Sequence, residues 1–237
     1  MQVRSKTSTW ELLSVLLLLF FSLQGHSQTE NKSAANDGTK FFFEGEFATN
    51  YVEQGITQTE SDPHFGGNLG YLINGQFLFS LGAGNVHYGS ESVQLNLRPT
   101  LGYKMNFTTN ADLMIKVILN RFYKETGRNG MLIDLDLNLF GYHVLYLKND
   151  NWEGTYTESS YLGFVADWPL GSDLLFKAEL GYQSLSAVGV NSYFHSRASL
   201  GYKINQLLFA LQGTWTNATD LGGKAGPFLF LTMQTKF

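Results

Sequence analysis

Over residues 93–104 apolar and polar side chains alternate without a break. Val93, Leu95, Leu97, Pro99, Leu101 and Tyr103 share one parity, and Gln94, Asn96, Arg98, Thr100, Gly102 and Lys104 share the other. A helix would mix these two sets, whereas a strand points successive side chains to opposite faces. The pattern recurs at Leu174, Phe176, Ala178, Leu180 and Tyr182 against Lys177 and Glu179, and at Phe194, Ala198, Leu200 and Tyr202 against His195, Arg197 and Lys203. Residues 228–237 repeat it, with Leu229, Leu231, Met233, Thr235 and Phe237 opposite Thr232, Gln234 and Lys236. Just after residue 40, Phe41, Phe43, Phe47 and Tyr51 oppose Glu44 and Glu46. Two such different faces, repeated along a chain, suit lipid on one side and a polar lumen on the other.

Strands are expected from residue 40 onward and over about residues 64–73, 76–88, 93–104, 111–123, 157–168, 173–184, 192–204, 207–216 and 227–237. Asn74-Gly75 is a strong hairpin signal, and residues 106–110 make the next turn. Pro99 removes a ladder donor and predicts a bulge or a local break. Residues 131–147 decide the strand count. Asp134, Asp136 and Asn138 keep to one face up to Leu139, the alternation blurs beyond Gly141, and a strand of about ten residues already crosses a bilayer. A reversal at Phe140-Gly141 gives twelve strands, the even number of single-chain bacterial barrels, and an unbroken segment gives eleven. The expected fold is therefore all-β, a transmembrane, antiparallel, up-and-down β-barrel of about 12 strands over residues 40–237.

The connections agree with that count. Short turns at Asn74-Gly75, 106–110, Phe140-Gly141, 169–172 and Asn205-Gln206 alternate with mostly longer polar loops, the asymmetry of periplasmic turns and extracellular loops. Outward aromatics collect at strand ends: Tyr71, Phe77, Tyr103, Trp168, Tyr202 and Phe237 at the periplasmic rim, and Tyr51, Tyr182, Phe194 and Trp215 at the other. Leu-Gly-Tyr occurs at residues 69, 101, 180 and 200, each time with the glycine facing inward, where a missing side chain leaves room for a neighbour. Arg98, Lys116, Lys177 and Arg197 lie mid-strand, and a basic side chain facing lipid there costs about 2–4 kcal/mol, so all four belong to the lumen.

The amino terminus carries Arg4 and Lys6, an apolar run over residues 12–23, and Gly25-His26-Ser27, the plan of a cleaved signal peptide over residues 1–27. Residues 28–39 are polar apart from two alanines and are expected to be a disordered leader. The chain has 16 basic and 20 acidic residues; loss of Arg4, Lys6 and Glu11 with the signal peptide leaves 14 against 19, a net charge of −5. Nothing in that balance invites nucleic acid. With no cysteine there is neither a disulfide framework nor a lipid attachment site.

The candidate functional surface is the lumen. Glu44, Glu46, Asp134, Asp136 and Glu179 face it against Arg98, Lys116, Lys177 and Arg197. Such charges either form rings that select solutes in a narrow pore or pair into ladders that plug the barrel. Four arginines after the signal peptide, Arg121 and Arg128 among them near loops, are too few for a track that guides acidic sugars. A rim hydrolase would draw on His143 or His195 with Ser160 or Ser196, but no Gly-x-Ser-x-Gly elbow occurs. Asn149, Asp150, Asn151 and Glu153 offer oxygens without the spacing of a calcium loop, so no metal is assigned.

Residues 50–59, Asn-Tyr-Val-Glu-Gln-Gly-Ile-Thr-Gln-Thr, resemble the leading motif of the TorF-type porin family of bacterial outer membranes. That motif runs acidic or amide, Tyr, two variable positions, Arg, Gly, hydrophobic, Ser or Thr, Gln, Ser or Thr. Asn50, Tyr51, Gly55, Thr57 and Gln58 match it, and Gln54 stands where the arginine is expected. Further likeness runs through Leu95, Asn96, Leu97, Arg98 and Pro99 and around Asn138-Leu139-Phe140-Gly141-Tyr142. The resemblance implies passive transport and brings no substrate with it. Together these features predict a channel in the outer membrane of a Gram-negative bacterium for small hydrophilic solutes, not an enzyme, with no cofactor. Outer-membrane lipid and the barrel-assembly machinery, which would read the last strand ending in Phe237, are its expected partners. The alternative is a plugged structural or adhesive barrel without transport.

Overall fold

In lipid a strand edge finds no water, so a spanning strand persists only when both its edges are paired. The computed structural model describes residues 38–87, 94–124, 126–186 and 190–237, and meets that demand by closing twelve antiparallel strands into a cylinder. β1 (Lys40–Ala48) is followed by two short strands that stay out of the wall, β2 (Val52–Glu53) and β3 (Ile56–Thr57). The wall continues with β4 (His64–Ile73), β5 (Phe77–Val86), β6 (Gln94–Thr108), β7 (Ala111–Phe122), β8 (Gly130–Leu139) and β9 (Tyr142–Asn149). It ends with β10 (Ser159–Pro169), β11 (Leu174–Leu185), β12 (Tyr193–Ile204), β13 (Leu207–Thr216) and β14 (Phe228–Lys236). Neighbours in the wall follow chain order, and β1 closes it by pairing β4 on one side and β14 on the other. The predicted signal peptide and all but the last two residues of the predicted leader lie outside the described residues, as do residues 88–93, which include the expected link Gly89-Ser90-Glu91.

The reversal at Phe140-Gly141 is a two-residue turn with φ of 57° and 88°, and Leu139 faces Tyr142 across it. Two consecutive left-handed residues make the type I′ geometry whose twist matches the flanking strands. Asn74 and Gly75 likewise take φ of 52° and 65°. Pro99 leaves two rungs unpaired toward β7, yet the register is the same on either side of the gap. The gap is the local break expected at the proline; the register shift lies between Asn106 and Thr108, and β6 runs on to Thr108 where a turn was expected from residue 106.

The outer face is apolar. Leu180, Leu101, Phe41 and Leu229 are exposed, Leu180 to 62%. A continuous belt of such residues is stable only against hydrocarbon, which seats the wall in a bilayer. Aromatic pairs line both rims on neighbouring strands: Phe41 with Tyr71 at 5.3 Å, Phe77 with Tyr103 at 4.9 Å and Trp168 with Phe176 at 5.6 Å at the short-turn end, and Tyr182 with Phe194 at 4.7 Å at the other. Tyr51 does not join them. β1 stops at Ala48, and the chain that carries Tyr51 turns into the barrel, where its ring stacks on His64 at 4.3 Å.

Adjacent residues of β6 test the two faces. Leu97→Arg should destabilise the refolded barrel by about 2–4 kcal/mol in a urea titration in lipid, and Arg98→Leu by clearly less. Equal losses would mean that the face assignment is wrong.

Candidate functional site

Inward positions hold the polar half of every alternation, and the first long loop, residues 49–63, folds in among them. Asn50 is the hub of that loop: its Oδ1 accepts from Thr57 Oγ1 at 2.5 Å and from Thr59 Oγ1 at 3.3 Å. Thr59 Oγ1 accepts from the Tyr51 amide at 3.0 Å, and the Gln58 amide donates to the Tyr51 carbonyl at 2.7 Å. β2 and β3 pair as a small hairpin whose tip is Gln54-Gly55, with φ of 48° and 81°. A Cβ on Gly55 would lie 2.8 Å from the Cβ of His195 and 3.1 Å from that of Thr216, so the tip presses on the wall where only glycine fits. The five motif residues Asn50, Tyr51, Gly55, Thr57 and Gln58 thus build one inward hairpin, and Gln54 holds its tip at the position expected for arginine.

Several strands grip the hairpin. Arg197 Nη2 donates to the Val52 carbonyl at 2.6 Å, and Arg98 Nη1 donates to the Tyr51 hydroxyl at 3.4 Å. The His87 amide donates to the Gln58 carbonyl, and Lys224 pairs with Glu60. Ile56 packs into a buried cluster with Trp152, Tyr193 and Ala218 on the long-loop side. Tyr51 lies outside the membrane-spanning strands; burial, helped by the Glu53 carboxylate, pushes its phenol up to about 12.

Two cavities lie in the lumen, and the hairpin lines the smaller. A cavity of about 910 Å³ reaches the short-turn end and is lined by Glu44, Glu46, Asn68, Arg98, Lys203 and Lys236 among others. A second, of about 280 Å³, lies against the hairpin itself and is lined by Tyr51, Gln54, Arg98, Arg128, Trp152 and Gln183 among others. Arg98 and Ile118 border both.

The charged residues expected in the lumen separate into two kinds. Most are paired across neighbouring strands: Lys116 with Asp134 at 2.6 Å, Lys177 with Asp167 at 3.5 Å, and Asp136 with His143 Nδ1 at 2.8 Å. Glu179 sits in a wall network in which Tyr161 donates to it at 2.8 Å, His195 Nε2 reaches the same phenol at 2.8 Å, and Arg197 Nε stands 3.8 Å away. Glu44 takes Lys236 at 2.6 Å near the rim, while Glu46 accepts only an amide, that of Gln234, at 3.2 Å. Sequence reasoning missed Tyr161. The signal was there, because Gly163 and Gly181 share its inward parity, and a Cβ on Gly181 would collide with its ring and hydroxyl.

The residues named for hydrolysis do not meet. His143 and His195 point inward, whereas Ser160 and Ser196 belong to the outward parity of β10 and β12, and Ser160 approaches Tyr146 at 3.5 Å. The Asn149–Asn151 oxygens are taken up by backbone amides: Asp150 Oδ1 accepts from Met131 on β8, Asn149 Oδ1 from Asn151, and Asn151 Oδ1 from Tyr156.

No family model matches the chain, and no curated protein matches it in sequence. Solved structures share its fold. The KdgM porin in complex with disordered oligogalacturonate aligns over 84% of this chain and 99% of its own, at 11% identity and a TM-score of 0.55. A second structure, of the KdgM porin, aligns over the same shares at 10% identity and a TM-score of 0.53. The likeness is one of fold, that of an outer-membrane porin-like barrel.

Tyr51 offers a direct reading of the hairpin. An unfolded tyrosine ionises near pH 10, so a phenol held neutral up to about 12 contributes stability that is complete below pH 10 and lost as pH rises through about 12. Ultraviolet titration of the folded protein should show a tyrosine transition near 12 that Tyr51→Phe removes; loss of a transition near 10 instead would place Tyr51 in solvent.

Proposed function

We propose that the chain is a narrow outer-membrane channel for passive diffusion of small hydrophilic solutes, with residues 49–63 as its constriction. The observation that carries this reading is the pair of lumen chambers, each lined by charged and amide side chains, that share Arg98 beside Tyr51. A packed lumen would leave no such space, and a porin needs a polar path of this kind. The porin-like fold supports it, and so does the resemblance to the TorF-type porins, because the matched residues are the ones that build the inward hairpin. The short-turn end is then periplasmic, and the strand ending at Phe237 is the segment the assembly machinery would read.

In this proposal Glu44, Glu46 and Arg98 tune ion preference, while Lys116, Asp134, Asp136, Lys177, Glu179 and Arg197 hold the wall. The KdgM neighbour is solved with oligogalacturonate, an acidic sugar chain. Among the described residues this lumen has no basic track: Arg197 is engaged with Glu179 and Val52, and Arg121 has the outward parity of its partner Leu97. A plugged barrel is the second reading, and the buried cluster of Ile56, Trp152, Tyr193 and Ala218 over the hairpin favours it.

Single-channel recording of the refolded chain in planar bilayers separates the two. Discrete, salt-dependent steps are expected, larger by severalfold in Gly55→Val, whose side chain cannot keep the hairpin tip against His195. Glu46→Gln should lower cation preference without changing step size much. Silence of both the native chain and Gly55→Val, with folding confirmed by a heat-sensitive gel shift, would establish the plugged barrel.

A further inference from the structure

The smaller chamber has a chemistry of its own. Three buried acceptor oxygens among its lining residues find no donor in the described protein: Gln183 Oε1, Asp134 Oδ1 and Asn96 Oδ1. Gln183 is 1% exposed and Asp134 9%, so these are interior groups with little access to bulk solvent. An unpaired buried acceptor costs on the order of 1–3 kcal/mol, so the site calls for O–H or N–H donors.

The remaining lining narrows the choice of donor. Its formal charges are Glu53 and Asp134 against Arg98 and Arg128, two of each sign, which gives no net attraction for an ion. Seven of its side chains are amides, groups that both donate and accept, as a hydroxyl does. Tyr51, Trp152 and Tyr161 add aromatic faces. A sugar ring presents hydroxyls around its edge and C–H groups on its face, and uses both features. Water would satisfy the oxygens and make no use of the rings. The volume, about 280 Å³, is at the small end of ligand sites, which start at about 300 Å³, and so admits one ring and excludes a chain of them.

We infer that this chamber is a binding site for a neutral polyhydroxylated solute of monosaccharide size, with Gln183, Asp134 and Asn96 accepting its hydroxyls and Trp152 against its face. The inference rests on the proposed channel for how the sugar arrives, and it makes the constriction a selective one. A solute that replaces the missing donors crosses the narrowest stretch at lower cost than an equally small one that does not.

The test uses the refolded full chain in detergent, with tryptophan emission as the readout and D-glucose, D-glucuronate and L-alanine as probes. Trp168 and Trp215 lie on the lipid face, and Trp152→Phe assigns the signal to the chamber. D-glucose should change the emission saturably, L-alanine should not, and Gln183→Leu or Asn96→Leu, each checked for folding by the gel shift, should weaken the glucose response at least tenfold. No saturable glucose response, tighter binding of D-glucuronate, or an undiminished response in both leucine variants would overturn the inference. Bilayer conductance, recorded in parallel, reports on the channel itself. Conductance without a glucose response refutes the sugar site and leaves the channel, and a glucose response in a silent barrel supports the site and refutes the channel.

Discussion

The hydrocarbon core offers no partner for a free N–H or C=O, and each one left open there costs several kcal/mol. Every other property of this chain follows from meeting that constraint through closure of β1 on β14. Closure fixes which face of each strand sees lipid, and therefore which residues must be apolar. It also fixes the width of the interior. Barrels of about eight strands fill with side chains and those of about sixteen hold open water, so a cylinder of twelve has an interior too wide for side chains alone and too narrow to stand empty. The first loop occupies the difference.

Within that interior, register decides which charges are neutralised. Lys116 faces Asp134, Lys177 faces Asp167 and Glu179 faces Arg197 as direct cross-strand partners. Such pairs keep costly groups satisfied in a region of reduced dielectric, and they leave few charges for the lumen at large. Arg98 is different. Its neighbour on β5 is Gly82, which supplies no acid, so its guanidinium extends to the loop. Two arginines that touch residues 49–63 therefore differ in character: Arg197 is shared with the wall network, and Arg98 borders both chambers.

Much of the wall could be read from the residues. Alternation gave the lipid face, because that face is chosen by transfer energy, which a side chain carries with it. Phe140-Gly141 and Asn74-Gly75 showed as turns because backbone handedness is a local matter. Pro99 showed as the local break in pairing that the loss of a donor predicts, without a shift of register. The inward hairpin was not legible as a structure, although its residues stood out as a motif: Asn50, Thr57 and Thr59 are as polar as any solvent-exposed loop, and only their convergence on one another removes the need for water. Tyr51 was misplaced for a related reason, because an aromatic at the end of a strand has the same composition whether it turns to the headgroups or to the lumen. The Tyr161 network depends on three strands meeting, and no single stretch of sequence contains it.

The loop leaves β1 and returns at β4, and these two strands pair directly along nine residues from Lys40 with Leu72 to Ala48 with His64. Residues 49–63 hold no strand of the cylinder, although the Thr49 amide still donates to the Leu231 carbonyl on β14. In the proposed channel, permeability and foldability are in this sense written in separate parts of the chain. Evolution can lengthen, recharge or exchange the inserted segment to suit a new habitat while the surrounding sheet, and the membrane it must satisfy, stay as they were.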